Sequence, residues 1–168
     1  MRTLVRSVGR ASIGGEPLPS SFKAFEQNKI IIRRSEVSMF AGAPGAGKST
    51  LALALALKTN VPTLYISADT NAHTMAMRLA SMISGKSQSD VEQKLNTDVG
   101  WTKAVLQKGS HIVWSFESSP TLEDIDEEVQ AFEELWGTSP SLIVLDNLMD
   151  VATDGGEEFA SMRAIMKE

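Results

Sequence analysis

From Lys29 onward, short apolar runs alternate with longer stretches in which apolar residues recur every three or four positions. The short runs predict strands over Ile30–Arg33, Val37–Ala41, Thr63–Ala68, His111–Phe116 and Leu142–Asp146. The later ones are nearly continuous and apolar, the pattern of strands buried on both faces. Strands separated by helical stretches predict βαβ units and a mainly parallel sheet with helices on either side. The clearest helix is Thr121–Trp136, where Leu122, Ile125, Val129, Phe132 and Trp136 form one stripe with acids between them. Pro120 suits its first turn, and Glu123 and Asp124 suit its electropositive N-terminal end. Between Ala72 and Ile83, Met75, Leu79 and Met82 form a second stripe, read as core. The segment Leu51–Lys58, LALALALK, alternates with period two and by pattern alone is a strand. Leucine and alanine are strong helix formers, however, and the glycine-rich turn before them must open a helix, so a helix is expected. A last helix is expected over Phe159–Glu168.

Residues 11–29 contain the Gly-, Pro- and Ser-rich stretch IGGEPLPSSF and read as a loop. The division is therefore an arm over 1–24 and one domain over 25–168. A chain of 168 residues that is 42% hydrophobic is large enough for one buried core. No apolar run approaches the roughly 18 residues of a membrane helix, so no membrane partner is expected. The absence of cysteine excludes disulfides, thiolate metal sites and a thiol nucleophile, and is compatible with a reducing cytoplasm. Arg2, Arg6 and Arg10 precede the first acid, Glu16, which fits a basic arm or a transit peptide. Charge is divided unevenly: residues 1–116 carry 14 basic and 7 acidic side chains, residues 117–168 carry 2 and 14. A chain of net charge -5 is a poor general polyanion binder, so any nucleic-acid contact must be local. The acidic part reads mainly as a solvated helix face.

The chemistry concentrates in Gly42-Ala43-Pro44-Gly45-Ala46-Gly47-Lys48-Ser49, a full match to G-x-x-x-x-G-K-[ST] set between a strand run and a helix. Glycines let the backbone turn its N–H groups toward phosphate oxygens, and the helix start adds partial positive charge. Lys48 would reach the β- and γ-phosphates of ATP, the Ser49 hydroxyl would ligate Mg²⁺, and Thr50 would complete the cradle. Leu142–Asp146 is an apolar strand ending in a carboxylate, the Walker B pattern, in which Asp146 holds Mg²⁺ through its waters. Asp69 ends a third run. It could orient the attacking water, or it could simply cap the next helix, as Thr70 and Asn71 also could. His73 and His111 lack partners at ligand spacing. Trp101 and Trp114 read as packing residues, and Asp150, Asp154, Glu157 and Glu158 as a solvated loop.

In the order AGAPGAGKSTLALALA, LYISADTNAHTMAMRLAS, HIVWSFESSPTLEDIDEEV and LIVLDNLMDV, the chain resembles the ATPase domain of DnaB-type hexameric replicative helicases, notably phage forms, within the RecA-like superfamily. The resemblance covers roughly residues 25–168. It implies a three-layer α/β RecA-like P-loop NTPase fold, Mg-ATP hydrolysis, ring assembly of the full-length protein and action on single-stranded DNA. The family places a catalytic glutamate where this chain has Asp69, so the resemblance assigns Asp69 the water-orienting role with a carboxylate one methylene shorter. Lys48, Ser49 and Asp146 match without departure. Family members continue past the Walker B strand with a polar sensor, DNA-contacting loops and a basic finger. Here only Arg163 follows Arg78 among arginines, so a C-terminally incomplete domain is expected. Two other readings remain: a nucleotide-binding scaffold without turnover, and a small-molecule P-loop kinase, although kinases usually carry an earlier P-loop and an arginine-bearing lid. No N-K-x-D element follows the P-loop to suggest GTP.

Overall fold

The computed structural model describes residues 15–148 and 151–152. Its elements in chain order are α1 (Lys23–Gln27), α2 (Lys48–Thr59), β1 (Thr63–Ser67), α3 (Ala72–Ser84), α4 (Gln88–Thr97), α5 (Val99–Leu106), a 3-10 turn, β2 (Ile112–Ser115), α6 (Leu122–Trp136) and β3 (Leu142–Asp146). The strands form a parallel sheet in the order β2-β1-β3. Thr63 lies opposite Ile112 on one side and Leu142 on the other, and Ser67 lies opposite Asp146.

Both faces of the sheet are covered, which explains why β1 is apolar without alternation. Tyr65 packs on one face with Leu53 and Ala56 of α2 and Met75 and Leu79 of α3. Leu64 and Ile66 point the other way, onto Phe132, Ile125 and Val129 of α6. These contacts make three layers, helix on sheet on helix, and confirm the α/β class expected from sequence. The methionine stripe of α3 is core, with Met75 buried and Met82 packed beside it.

The period-two segment after the glycine loop is helical, as propensity rather than alternation indicates. In α6, Thr121 is the N-cap, with the reciprocal bonds of a capping box to Asp124. Pro120 therefore sits just before the helix, not in its first turn. The backbone and side-chain bonds from Thr121 hold the Asp124 carboxyl below its ordinary range. Two helices not anticipated from sequence, α4 and α5, pack on α3 through Val91, Val105 and Ala80.

Two expected strands are corrected. Over Ile30–Arg33 there is only an isolated antiparallel bridge from Arg33 to Pro17, flanked by Leu18 N–H to Ile32 O and Arg34 N–H to Glu16 O bonds. Over Val37–Ala41 the chain is not part of the sheet. A strand exists only where a neighbour accepts its backbone bonds, and among the described residues no strand is paired with this run. Val37 and Met39 are accordingly exposed. Smaller differences trim β1 by one residue and β2 by one at each end. The last expected helix, over Phe159–Glu168, lies outside the described residues.

Candidate functional site

The loop Gly42–Gly47 leads directly into α2. Gly45 and Gly47 have φ of 76° and 85°, left-handed conformations that strain any residue with a Cβ. Between them the Ala46 N–H donates to Ala43 O at 3.1 Å and closes a turn. Gly47 is the N-cap of α2, and no side chain caps that helix. A helix has about four N–H groups in its first turn without intrahelical partners, and such groups can bind an anion. The Lys48 ammonium folds back over the loop, donating to Gly42 O at 2.9 Å and Ala43 O at 3.2 Å. Those carbonyls hold the cation over the cradle, where a phosphate oxygen can exchange for them. Ala43, Pro44 and Thr50 are exposed around the same loop.

The second half of the site is made by the sheet. Asp146, at the end of β3, is 8% exposed. Ser49, in the first turn of α2, donates to Asp146 Oδ1 at 2.9 Å, across 97 residues of sequence. Tyr65, from the neighbouring strand β1, donates to Asp146 Oδ2 at 2.8 Å. The Ala68 N–H donates to the Asp146 main-chain oxygen at 2.8 Å, continuing the β1–β3 ladder beyond Ser67. Each carboxylate oxygen of Asp146 therefore has one hydroxyl donor, and the backbone beneath it is pinned.

Asp69 leaves the same end of β1, two residues past the partner of Asp146. Its side chain is exposed and accepts from Thr70 Oγ1 at 2.8 Å. It does not cap the following helix: Asn71 does, accepting from the Thr74 N–H at 2.9 Å. The capping explanation for an acid at 69 is thereby removed. Asp69 thus lies exposed past the end of β1, and its charge acts on the Tyr65 hydroxyl.

Sequence reasoning passed over Tyr65, although a signal was present: a buried phenol inside an apolar strand must find a partner for its O–H. Burial, foremost, and then the neighbouring Asp146 charge and hydrogen bond push its pKa far up, with Arg78 opposing, so it stays protonated and serves as a donor. The two tryptophans pack as expected from sequence. Trp114 lies against Tyr65 with ring centres 4.9 Å apart, Trp101 packs against the cluster of Val91 and Val105, and the His111 ring meets Ala56 O at 3.1 Å. His73 is exposed.

The donor set fits Mg²⁺. The Ser49 hydroxyl and the Asp146 carboxylate are hard oxygens brought together at the start of α2, beside the loop that would present phosphate. Among the described residues no cluster of three or more acidic, histidine or cysteine side chains forms a full cage. Mg²⁺ does not need one, since it binds through one or two protein oxygens, substrate phosphates and retained waters.

A family model for the AAA domain matches residues 27–167. The chain belongs to the AAA domain family. As an AAA domain it is an ATPase-type P-loop domain, and its parallel sheet with helices on both faces is the RecA-like arrangement of such domains. Among curated proteins it is 34% identical over 157 residues to the Gene 65 protein of Mycobacterium phage L5, covering 90% of this chain and 58% of that protein. It is 34% identical over 135 residues to the Gene 65 protein of Mycobacterium phage D29, covering 73% of this chain and 55% of that one. The AAA domain thus spans little more than half the length of these relatives. Among its described residues no helix is long and apolar enough to cross a membrane.

Proposed function

We propose that this AAA domain binds Mg-ATP at Gly42–Ser49 and Thr50 and hydrolyses it as the ATPase core of a DnaB- or RecA-like DNA motor. The observation that carries the nucleotide reading is the Ser49–Asp146 hydrogen bond, which joins the P-loop helix to the strand-end carboxylate. The loop amides and Lys48 would bind the phosphates. Ser49 and Asp146 would hold Mg²⁺, which when bound neutralises charge on the β- and γ-phosphate oxygens. Asp69 would orient a water and take its proton as the water oxygen bonds to the γ-phosphorus and the bond to the β-phosphate oxygen breaks, releasing ADP and phosphate. The release of Asp69 from any capping duty supports that role. Further positive charge at the γ-phosphate is assigned to a neighbouring subunit in a ring formed by the full-length protein. The motor reading, with single-stranded DNA as the partner, rests on the resemblance of the four motif blocks and on the phage origin of the relatives.

The test is ATP binding and ATP hydrolysis measured with and without single-stranded DNA, with Lys48→Ala as the blank. DNA-stimulated turnover that disappears in the blank is the expected result. Binding without turnover under both conditions would replace the motor with a nucleotide-binding scaffold. Asp69→Asn should bind ATP normally while turnover falls by about 100-fold or more, the usual scale for losing a general base. Unchanged turnover in that variant would remove Asp69 from the chemistry.

A further inference from the structure

Tyr65 is the only tyrosine in the chain, and its ring is fully buried between the sheet and the α2–α3 layer. It lies one strand away from Asp146 and two register positions back, opposite Val144. From there its hydroxyl reaches Oδ2 of Asp146 at 2.8 Å, while Ser49 reaches Oδ1 at 2.9 Å. A carboxylate held by one donor can still rotate about its last torsion. Held by two donors from different layers, it has one orientation left. Trp114, with its ring centre 4.9 Å from that of Tyr65 and itself stacked on Phe116 at 6.0 Å, fixes the phenol from the far side. The ring therefore cannot swing away without unpacking the edge strand β2.

We propose that Tyr65 is a positioning residue for the metal side of the site: its hydroxyl clamps Asp146 Oδ2 so that Oδ1 alone faces Ser49 and the Mg²⁺ of bound nucleotide. This rests on the Mg-ATP reading above and goes one layer further, to the group that orients the metal-holding carboxylate. The partners behind metal-holding residues typically contribute 10- to 100-fold to metal affinity. In the absence of the hydroxyl, Asp146 Oδ2 is a buried acceptor with no partner, which favours rotation of the carboxylate away from Ser49. The Tyr65 hydroxyl acts through Asp146, so its effect falls on the Mg²⁺-dependent part of nucleotide binding.

The deciding experiment titrates a fluorescent ATP analogue against wild-type protein and Tyr65→Phe, each in chelator and across a Mg²⁺ series. In chelator the two should bind alike. The Mg²⁺ concentration giving half the full affinity gain should rise about 10- to 100-fold in Tyr65→Phe, and adding Tyr65→Phe to Asp146→Asn should change it no further. An unchanged Mg²⁺ midpoint in Tyr65→Phe would overturn the proposal, as would a full additional effect in the double variant. If wild-type binding itself shows no Mg²⁺ dependence, the Mg-ATP reading fails instead. A second measurement needs no variant. Because the chain has one tyrosine, ¹³C-tyrosine labelling gives a single Cζ resonance. Saturation with Mg²⁺ and nucleotide should move it, and nucleotide in chelator should move it much less. A resonance indifferent to Mg²⁺ would show that Tyr65 does not sense the metal side.

Discussion

Two short apolar runs of this chain, Thr63–Ser67 and Val37–Ala41, look alike in sequence and behave differently in the fold. The first is β1, paired on both sides and buried at every position. The second pairs with nothing in the sheet, and its Val37 is 76% exposed. Each leads into half of the proposed nucleotide site. From β1 come Tyr65 and the ladder that pins Asp146, so the proposed metal side is set by a packed core. From Val37–Ala41 comes the phosphate loop, whose shape depends on its own glycines and on Lys48 bonding two carbonyls of the same loop. Preset geometry thus resides where strands have neighbours, and the phosphate side is shaped by local backbone chemistry.

The largest expected break in this contrast comes from Leu64→Ala. Leu64 is fully buried against Phe132 and Ile66, and truncating such a side chain costs about 2–5 kcal/mol. Denaturant unfolding should register that loss, and nucleotide binding should weaken with it because Asp146 depends on the same strand. A loss below about 1 kcal/mol would mean that β1 is not the rigid half.

A smaller effect is expected from the helix that covers β1. Thr121→Ala removes the N-cap of α6 and its bond to the Asp124 N–H at 3.1 Å, at a cost of about 1 kcal/mol. The variant also alters the pH response. The Asp124 pKa is lowered in the folded state by its bonds to Thr121, so this stabilisation is present above the ordinary aspartate range and is lost as pH falls through the lowered value. Wild-type protein should therefore lose this increment on acidification, and the difference between wild type and Thr121→Ala should shrink as pH falls. A difference that stayed constant down to the acid limit would count against the capping box.

The same contrast explains what was legible in the sequence. The glycine turn opening α2 was legible because it needs backbone freedom at fixed neighbouring residues, Gly45 and Gly47. Asp146 was legible as a carboxylate ending an apolar strand. Its bond to Tyr65 was not, since it joins residues 81 apart and depends on how β1 and β3 are registered. The strand expected over Val37–Ala41 failed for the complementary reason: an apolar run records a capacity for pairing, and a partner decides whether a strand forms. Helix α4 escaped notice because it buries only Val91, too little to leave a stripe.

The smallest expected effect is also the sharpest check on the contrast. Val37→Ala removes two methyl groups from a side chain that is 76% exposed, next to a loop rather than within a ladder. Surface substitutions of this kind stay within about 0.5 kcal/mol, so unfolding should be nearly unchanged and nucleotide affinity should follow it. A comparable truncation within β1 would remove contacts with packed neighbours, as at Leu64. If Val37→Ala instead cost more than about 1 kcal/mol in the protein as it folds in solution, Val37 would have to be buried against a partner. The phosphate loop would then rest on a paired strand, and both halves of the site would be preset by the same means.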